Sequence, residues 1–111
     1  MTGEEYLQSI LDHLHKAYML DNEKIKDVLP RFLDTLAAHL DNLQRPLQAN
    51  DLPELGRAGH TLKGALLNLG LLELADIAYS IEQQCKIEGS TADYQIMVQR
   101  LQQEISSFVV R

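Results

Sequence analysis

The sequence has no tryptophan, few other aromatic residues and a single cysteine. Aromatic side chains make up only 5% of the chain although 45% of it is apolar, and this balance favours a helical bundle over a β-sandwich. The length suits one core, so we expect one domain over residues 1–111. Cys85 alone excludes an internal disulfide and fits a reducing cytoplasm.

The sequence also lacks an excess of basic residues and any long apolar run. Its formal net charge is −6, which argues against nonspecific binding to nucleic acid and against docking on anionic membranes. No apolar run approaches the ~18–20 residues that span a bilayer. The first five residues include two glutamates and do not have the basic-then-apolar order of a signal peptide. We therefore expect a cytoplasmic protein that binds neither nucleic acid nor membrane.

What the sequence does contain is helical periodicity with capping signals. Thr2 with Glu5, and Asp51 with Glu54, have the spacing of capping boxes at helix starts. The pattern predicts five helices, over residues 3–18, 23–48, 52–69, 71–88 and 91–109. Long amphipathic helices with short links predict an all-α fold, an antiparallel four-helix bundle with an additional N-terminal helix.

Proline and glycine punctuate these helices. Pro30 predicts a tolerated start or a mild kink in the second helix, and Pro46 predicts fraying near its end. Gly70 is placed to terminate the third helix. Gly89 and Ser90 are expected to end the fourth helix and to cap the fifth.

One histidine lies between glycines within the third helix. Gly56 precedes His60 by about one turn and Gly64 follows it by about one turn. Each glycine costs a helix roughly 0.5–1 kcal/mol relative to alanine. We interpret that cost as access for a bulky group to the imidazole. An isolated surface histidine on a helix is usually inert, and it is the combination with glycine and lysine that indicates chemistry.

A helical wheel places this histidine on the solvent side. The face opposite His60 is apolar and consists of Leu55, Ala58, Leu62, Ala65, Leu66 and Leu69. The neighbours expected on the exposed face are Gly56, Lys63, Gly64 and Leu67. Leu67 is apolar where a polar residue is expected, and beside an accessible histidine it indicates the rim of a docking surface.

The region around His60 resembles the histidine phosphotransfer (HPt) domain signature. The run His60-Thr61-Leu62-Lys63-Gly64, followed by Asn68-Leu69-Gly70, is similar to the His-x-Leu-Lys-Gly core and second glycine of that family. The motif covers residues 56–82, and the five-helix layout extends the resemblance to essentially the whole chain. Departures are Gly59, where alanine is common, and the bulky pair Leu66-Leu67, which could shift partner preference.

The resemblance implies a phosphoryl carrier rather than an enzyme. His60 would accept phosphate from an aspartyl phosphate on a receiver domain and pass it to another receiver, with Lys63 supplying a positive charge. Neutral imidazole has a lone pair for attack on phosphorus, but the sequence leaves the reacting nitrogen open, and only family analogy suggests Nε2. The chain has no Walker motif and no glycine-rich kinase loop, so we expect no use of ATP.

The resemblance also implies partners. These would be receiver domains of hybrid sensor kinases and response regulators, with Mg²⁺ on the receiver and no cofactor or metal of the chain's own. Gly56, Gly59 and Gly64 would let the receiver loops approach, and Leu67 would lie at the docking rim. We expect a monomer.

Two other functions share features with this one. The phosphoacceptor module of a sensor kinase normally has an acidic residue directly after the histidine, where Thr61 stands here, and it needs an ATP-binding domain. An adaptor or inhibitor that binds a receiver or kinase without carrying phosphate stays open. A metal site is disfavoured, because His13 and His15 cannot share a helix face and His39 is isolated. Cys85 is expected to be a core thiol.

Overall fold

The structure, a computed structural model, describes residues 1–109. Within them every regular element is an α-helix, and no strand is present. The six helices are α1 (Gly3–Ala17), α2 (Asn22–Asp41), α3 (Gln44–Ala49), α4 (Leu52–Asn68), α5 (Leu72–Gln84) and α6 (Tyr94–Ser106). None of the described helices has the length and apolar character needed to cross a bilayer.

Side-chain caps fix where the helices begin. The capping box at Thr2 is complete, since its hydroxyl accepts from Glu5 N at 3.2 Å and the Glu5 carboxylate accepts from Thr2 N at 2.9 Å. Asp51 likewise caps α4 through Glu54 N at 3.2 Å. The reciprocal half of that predicted box is absent, because the Glu54 carboxylate instead accepts from Arg57.

The predicted second helix is divided in two, which the sequence interpretation missed. The helix α2 includes Pro30 but ends at Asp41, and a separate short helix, α3, contains Pro46. Pro46 lacks the N–H that would bond to the carbonyl four residues before it, and the break lies at that point, whereas Pro30 is accommodated within α2. Leu43 at the break is fully buried, and Asn50 ends α3 in the left-handed conformation with φ 52°.

The last two long helices are shorter than predicted. Gly70 ends α4 with φ 74°, as expected, and Gly89 has the same φ in the loop after α5. However, Ser90 does not cap α6; its hydroxyl donates to the Gln84 side chain at 2.6 Å. Asp93 is the cap instead, because its side-chain Oδ1 accepts from the backbone N–H three residues later at 3.1 Å. The helix α6 therefore starts three residues later than the sequence indicated.

The long helices after α1 form the predicted four-helix bundle. The helix α4 packs most extensively on α5 and also on α2, while α6 packs on α5 and α2 and closes the ring. The N-terminal helix α1 covers the bundle through its buried residues Tyr6, Ile10 and Leu14, and the Tyr6 hydroxyl donates to Glu104 of α6 at 2.7 Å. The largest fully buried side chains of the core are Ile10, Leu14, Leu36, Leu40, Leu43, Leu55, Leu62, Leu66, Leu69, Ile81, Leu101 and Ile105.

Candidate functional site

His60 lies on the solvent side of α4, as the helical wheel predicted. Leu55, Leu62 and Leu66 of the same helix are buried in the core and fix its rotation. The His60 side chain retains 64% of its accessible surface. Leu67 is also exposed, at 44%. The packing of one apolar face therefore presents the imidazole to solvent, with the exposed leucine about two turns further along the helix.

Gly56 and Gly59 are not on this exposed face, which corrects the sequence interpretation. Both are buried against α5. A Cβ added at Gly59 would lie 3.2 Å from the Ala78 carbonyl oxygen and 3.3 Å from a methyl of Ile81, and one at Gly56 would lie 3.2 Å from Cys85 Cβ. These glycines let α4 and α5 approach each other closely and so have a packing role, and Gly56 also lines a groove beside His60.

Gly64, by contrast, faces open space. No heavy atom beyond its own local backbone lies within 4 Å of a Cβ built there. Nothing in the packing of the described residues therefore requires glycine at this position. A side chain would project one turn from His60, so its absence leaves the approach to the imidazole clear.

The residue that sequence reasoning missed is Glu82 on α5. Its side chain is only 10% exposed, and its two oxygens are both engaged. Oε2 lies 2.8 Å from His60 Nδ1, and Oε1 accepts from Lys63 Nζ at 2.9 Å. The sequence did contain a signal for this residue: Glu82 directly follows Ile81, which with Ala78 belongs to the apolar face of α5. A carboxylate next to a buried face needs polar partners.

The surroundings of Glu82 keep it ionised. The hydrogen bond from Lys63 is the main cause that lowers the pKa of the Glu82 carboxyl below its ordinary value of 4.5. The hydrogen bond from His60 acts in the same direction, while burial opposes both. The ring of His60 is therefore paired with a carboxylate anion at neutral pH.

This pairing sets the tautomer of His60. An ionised carboxylate only accepts hydrogen bonds, so Nδ1 must carry the proton and donate it to Glu82. A neutral imidazole with its proton on Nδ1 has its lone pair on Nε2. Among residues 1–109 no group hydrogen-bonds to Nε2. The geometry therefore leaves Nε2 as the ring nitrogen with an available lone pair.

Lys63 differs from its expected position. Its side chain is only 21% exposed and turns to Glu82 rather than standing free beside the imidazole. The ammonium also lies 4.9 Å from the centre of the Tyr79 ring, within the range of a cation–π contact. Lys63 is thus held at two points on α5.

An open groove of about 690 Å³ runs beside His60 between α4 and α5. Cys85 lines it and is half-buried rather than enclosed in the core as predicted. Burial raises the pKa of the Cys85 thiol, which disfavours the reactive thiolate. The other lining residues are Leu52, Pro53, Gly56, Arg57, Thr61, Glu82 and Lys86.

The remaining histidines lie apart from this site. His13 packs edge-on against the Tyr18 ring at 5.6 Å between centroids, and His15 Nδ1 lies 2.8 Å from the Leu20 carbonyl oxygen. His39 lines a separate groove on the other side of α4. Within the described part of the chain, no three histidine, cysteine or acidic side chains converge so as to hold a metal ion.

Comparison with known proteins assigns the family. The family model described as the Hpt domain matches residues 27–109, which include α4, α5, α6 and most of α2. Neither the curated proteins nor the solved structures give a match to this chain. Because the family match covers well over half of the sequence, the chain belongs to the Hpt domain family.

Proposed function

We propose that this protein is a histidine-containing phosphocarrier of a two-component phosphorelay. His60 would accept a phosphoryl group from the aspartyl phosphate of one receiver domain and pass it to an aspartate of another. The observation that carries the proposal is the Nδ1–Glu82 hydrogen bond, which leaves the Nε2 lone pair on an exposed helix face. Membership in the Hpt family, whose domains act in histidine phosphotransfer, supports it.

The transfer step requires an in-line displacement at phosphorus. The Nε2 lone pair forms the new P–N bond while the P–O bond to the receiver aspartate breaks, and that bond's electron pair remains on the released carboxylate. Delivery to the second receiver is the same reaction in reverse, with its aspartate oxygen as the nucleophile. No water and no oxidant enters either step, and the Nδ1 proton need not leave its place on the ring.

Glu82 contributes to this step through the imidazole. Positive charge builds on the ring as Nε2 bonds to phosphorus, and the carboxylate at 2.8 Å from Nδ1 stabilises that charge. Glu82 also holds the ring in the reactive tautomer and orientation. Lys63, bonded to the other carboxylate oxygen, keeps Glu82 ionised and in position.

The surroundings of His60 suit a receiver as the partner. The open space at Gly64 and the exposed Leu67 would receive the loops around the receiver's active site. Mg²⁺ would be supplied by the receiver, and the carrier needs no ATP. Receivers of hybrid sensor kinases and of response regulators are the expected donors and acceptors, and the carrier would act as a cytoplasmic monomer.

Phosphoryl transfer from radiolabelled phospho-receivers tests the proposal. We expect rapid, acid-labile labelling of the wild type and none of His60→Gln. A matched control is His15→Gln, which replaces another exposed helical histidine and should label normally. Binding of a receiver without any label would point to an adaptor, and label on His60→Gln would refute the assignment of His60.

A further inference from the structure

Three cationic side chains surround His60 in a protein of net charge −6. Arg57 is committed to Glu54, to which its Nη2 and Nε donate at 2.6 and 3.2 Å. Lys63 is committed to Glu82 at 2.9 Å and to the Tyr79 ring. Two of the three cations are therefore already engaged before any phosphate arrives.

Lys86 is the third cation, and its pairing is loose. It lies one turn beyond Glu82 on the chain, and its Nζ is 3.8 Å from Glu82 Oε2, too far for a hydrogen bond. Its side chain is 65% exposed. The same Oε2 atom accepts the Nδ1 proton of His60, and Lys86 lines the groove beside the imidazole. The ammonium is thus close to the ring and free to move.

Resting on the proposed function, we propose that Lys86 is the cation that pairs with the phosphoryl oxygens on phosphorylated His60, and that Lys63 instead holds Glu82. A phosphoryl group brings up to two negative charges to the exposed side of the ring. Moving Lys63 toward it would take the hydrogen-bonded ammonium partner from a carboxylate that is only 10% exposed, which is unfavourable. Moving Lys86 gives up only a long, solvated ion pair.

A ³¹P NMR titration of the phosphorylated protein measures this pairing directly. Phosphoramidate serves as the donor, so that no receiver is needed. A nearby cation favours the dianionic phosphoryl group, so Lys86→Gln should raise the midpoint of the titration. A unit charge at roughly 6 Å in a water-like dielectric predicts a rise of about 0.5 pH unit. Lys86→Arg should restore the wild-type midpoint.

Matched variants separate this role from a general charge effect. Lys24 is 58% exposed and lies 3.9 Å from an Asp27 oxygen on α2, so Lys24→Gln removes a similarly paired lysine far along the sequence from the site. We expect no shift for Lys24→Gln and a smaller shift for Lys63→Gln than for Lys86→Gln. In 0.5 M salt the Lys86→Gln shift should shrink, because an exposed pair is screened.

The outcomes distinguish this inference from the function on which it rests. A wild type that takes up phosphate on His60, with Lys86→Gln titrating like Lys24→Gln, would overturn the role of Lys86 and leave the carrier function standing. A larger midpoint shift for Lys63→Gln than for Lys86→Gln would show that Lys63, and not Lys86, pairs with the phosphoryl oxygens. A wild type labelled by neither phosphoramidate nor any phospho-receiver would overturn both proposals.

Discussion

Replacing Glu82 by glutamine tests the chemistry of the site most directly. The substitution preserves shape but removes the charge that faces His60 Nδ1 and Lys63 Nζ. A glutamine can also turn its NH₂ group toward Nδ1, which would then have to accept, and the imidazole proton would move to Nε2. In that tautomer Nε2 has no lone pair for phosphorus. We therefore expect Glu82→Gln to slow phosphoryl acceptance while the bundle stays folded.

The size of the effect follows from the hydrogen bond that is lost. A hydrogen bond to a charged group contributes about 1.5–3 kcal/mol, against about 0.5–1.5 kcal/mol for a neutral one. The variant thus forfeits about 1–1.5 kcal/mol of stabilisation of the developing positive charge on the ring. Since about 1.4 kcal/mol corresponds to a factor of ten in rate, acceptance should slow by roughly 5- to 12-fold.

Rapid-quench measurement of transfer from a saturating phospho-receiver gives the rate, and ¹⁵N NMR of the imidazole gives the tautomer. Glu54→Gln is the control, because it removes an exposed carboxylate near the site that pairs with Arg57 and not with the ring. Equal rates for the two variants would refute the role of Glu82. So would a wild-type spectrum with the neutral imidazole's proton on Nε2.

The glycines of α4 yield three further predictions, two on stability with opposite signs and one on transfer. Gly59→Val should destabilise the fold by about 1–3 kcal/mol, measured by urea unfolding, because even its Cβ would press on Ala78 O at 3.2 Å; an unchanged midpoint would contradict the packing role. Gly64→Ala should instead stabilise by about 0.5–1 kcal/mol, since its Cβ meets no neighbour. Gly64→Glu should keep the fold but block receiver docking or transfer, and undiminished transfer would show that Gly64 is not needed for access.

The sequence was sufficient for features determined within one helix. Apolar periodicity identified the core face of α4 and thereby the exposure of His60, and Thr2 with Glu5 marked the start of α1. The break between α2 and α3 was missed because apolar residues continue on both sides of it. Apolar periodicity alone does not distinguish a break before Pro46, which separates a new helix, from fraying at the end of one long helix.

Contacts between two helices could not be predicted from the sequence. The bond between His60 and Glu82 joins residues 22 apart in the chain, and only the packing of α5 on α4 brings them together. A helical wheel orients residues toward or away from a core but does not say which neighbour they meet. This is why the wheel placed Gly56, which is buried against α5, on the exposed face beside His60.

The two buried glycines of α4 and the missed glutamate are connected. A Cβ at Gly59 would lie 3.5 Å from the backbone nitrogen of Glu82, and one at Gly56 would lie 3.7 Å from its carbonyl oxygen. The backbone of Glu82 therefore lies directly against the two glycines, and this close approach lets its side chain reach His60 Nδ1. The glycines that weaken α4 therefore do affect the imidazole. Their missing side chains face α5 rather than solvent, and this lets the carboxylate that sets the tautomer of His60 come close to the ring.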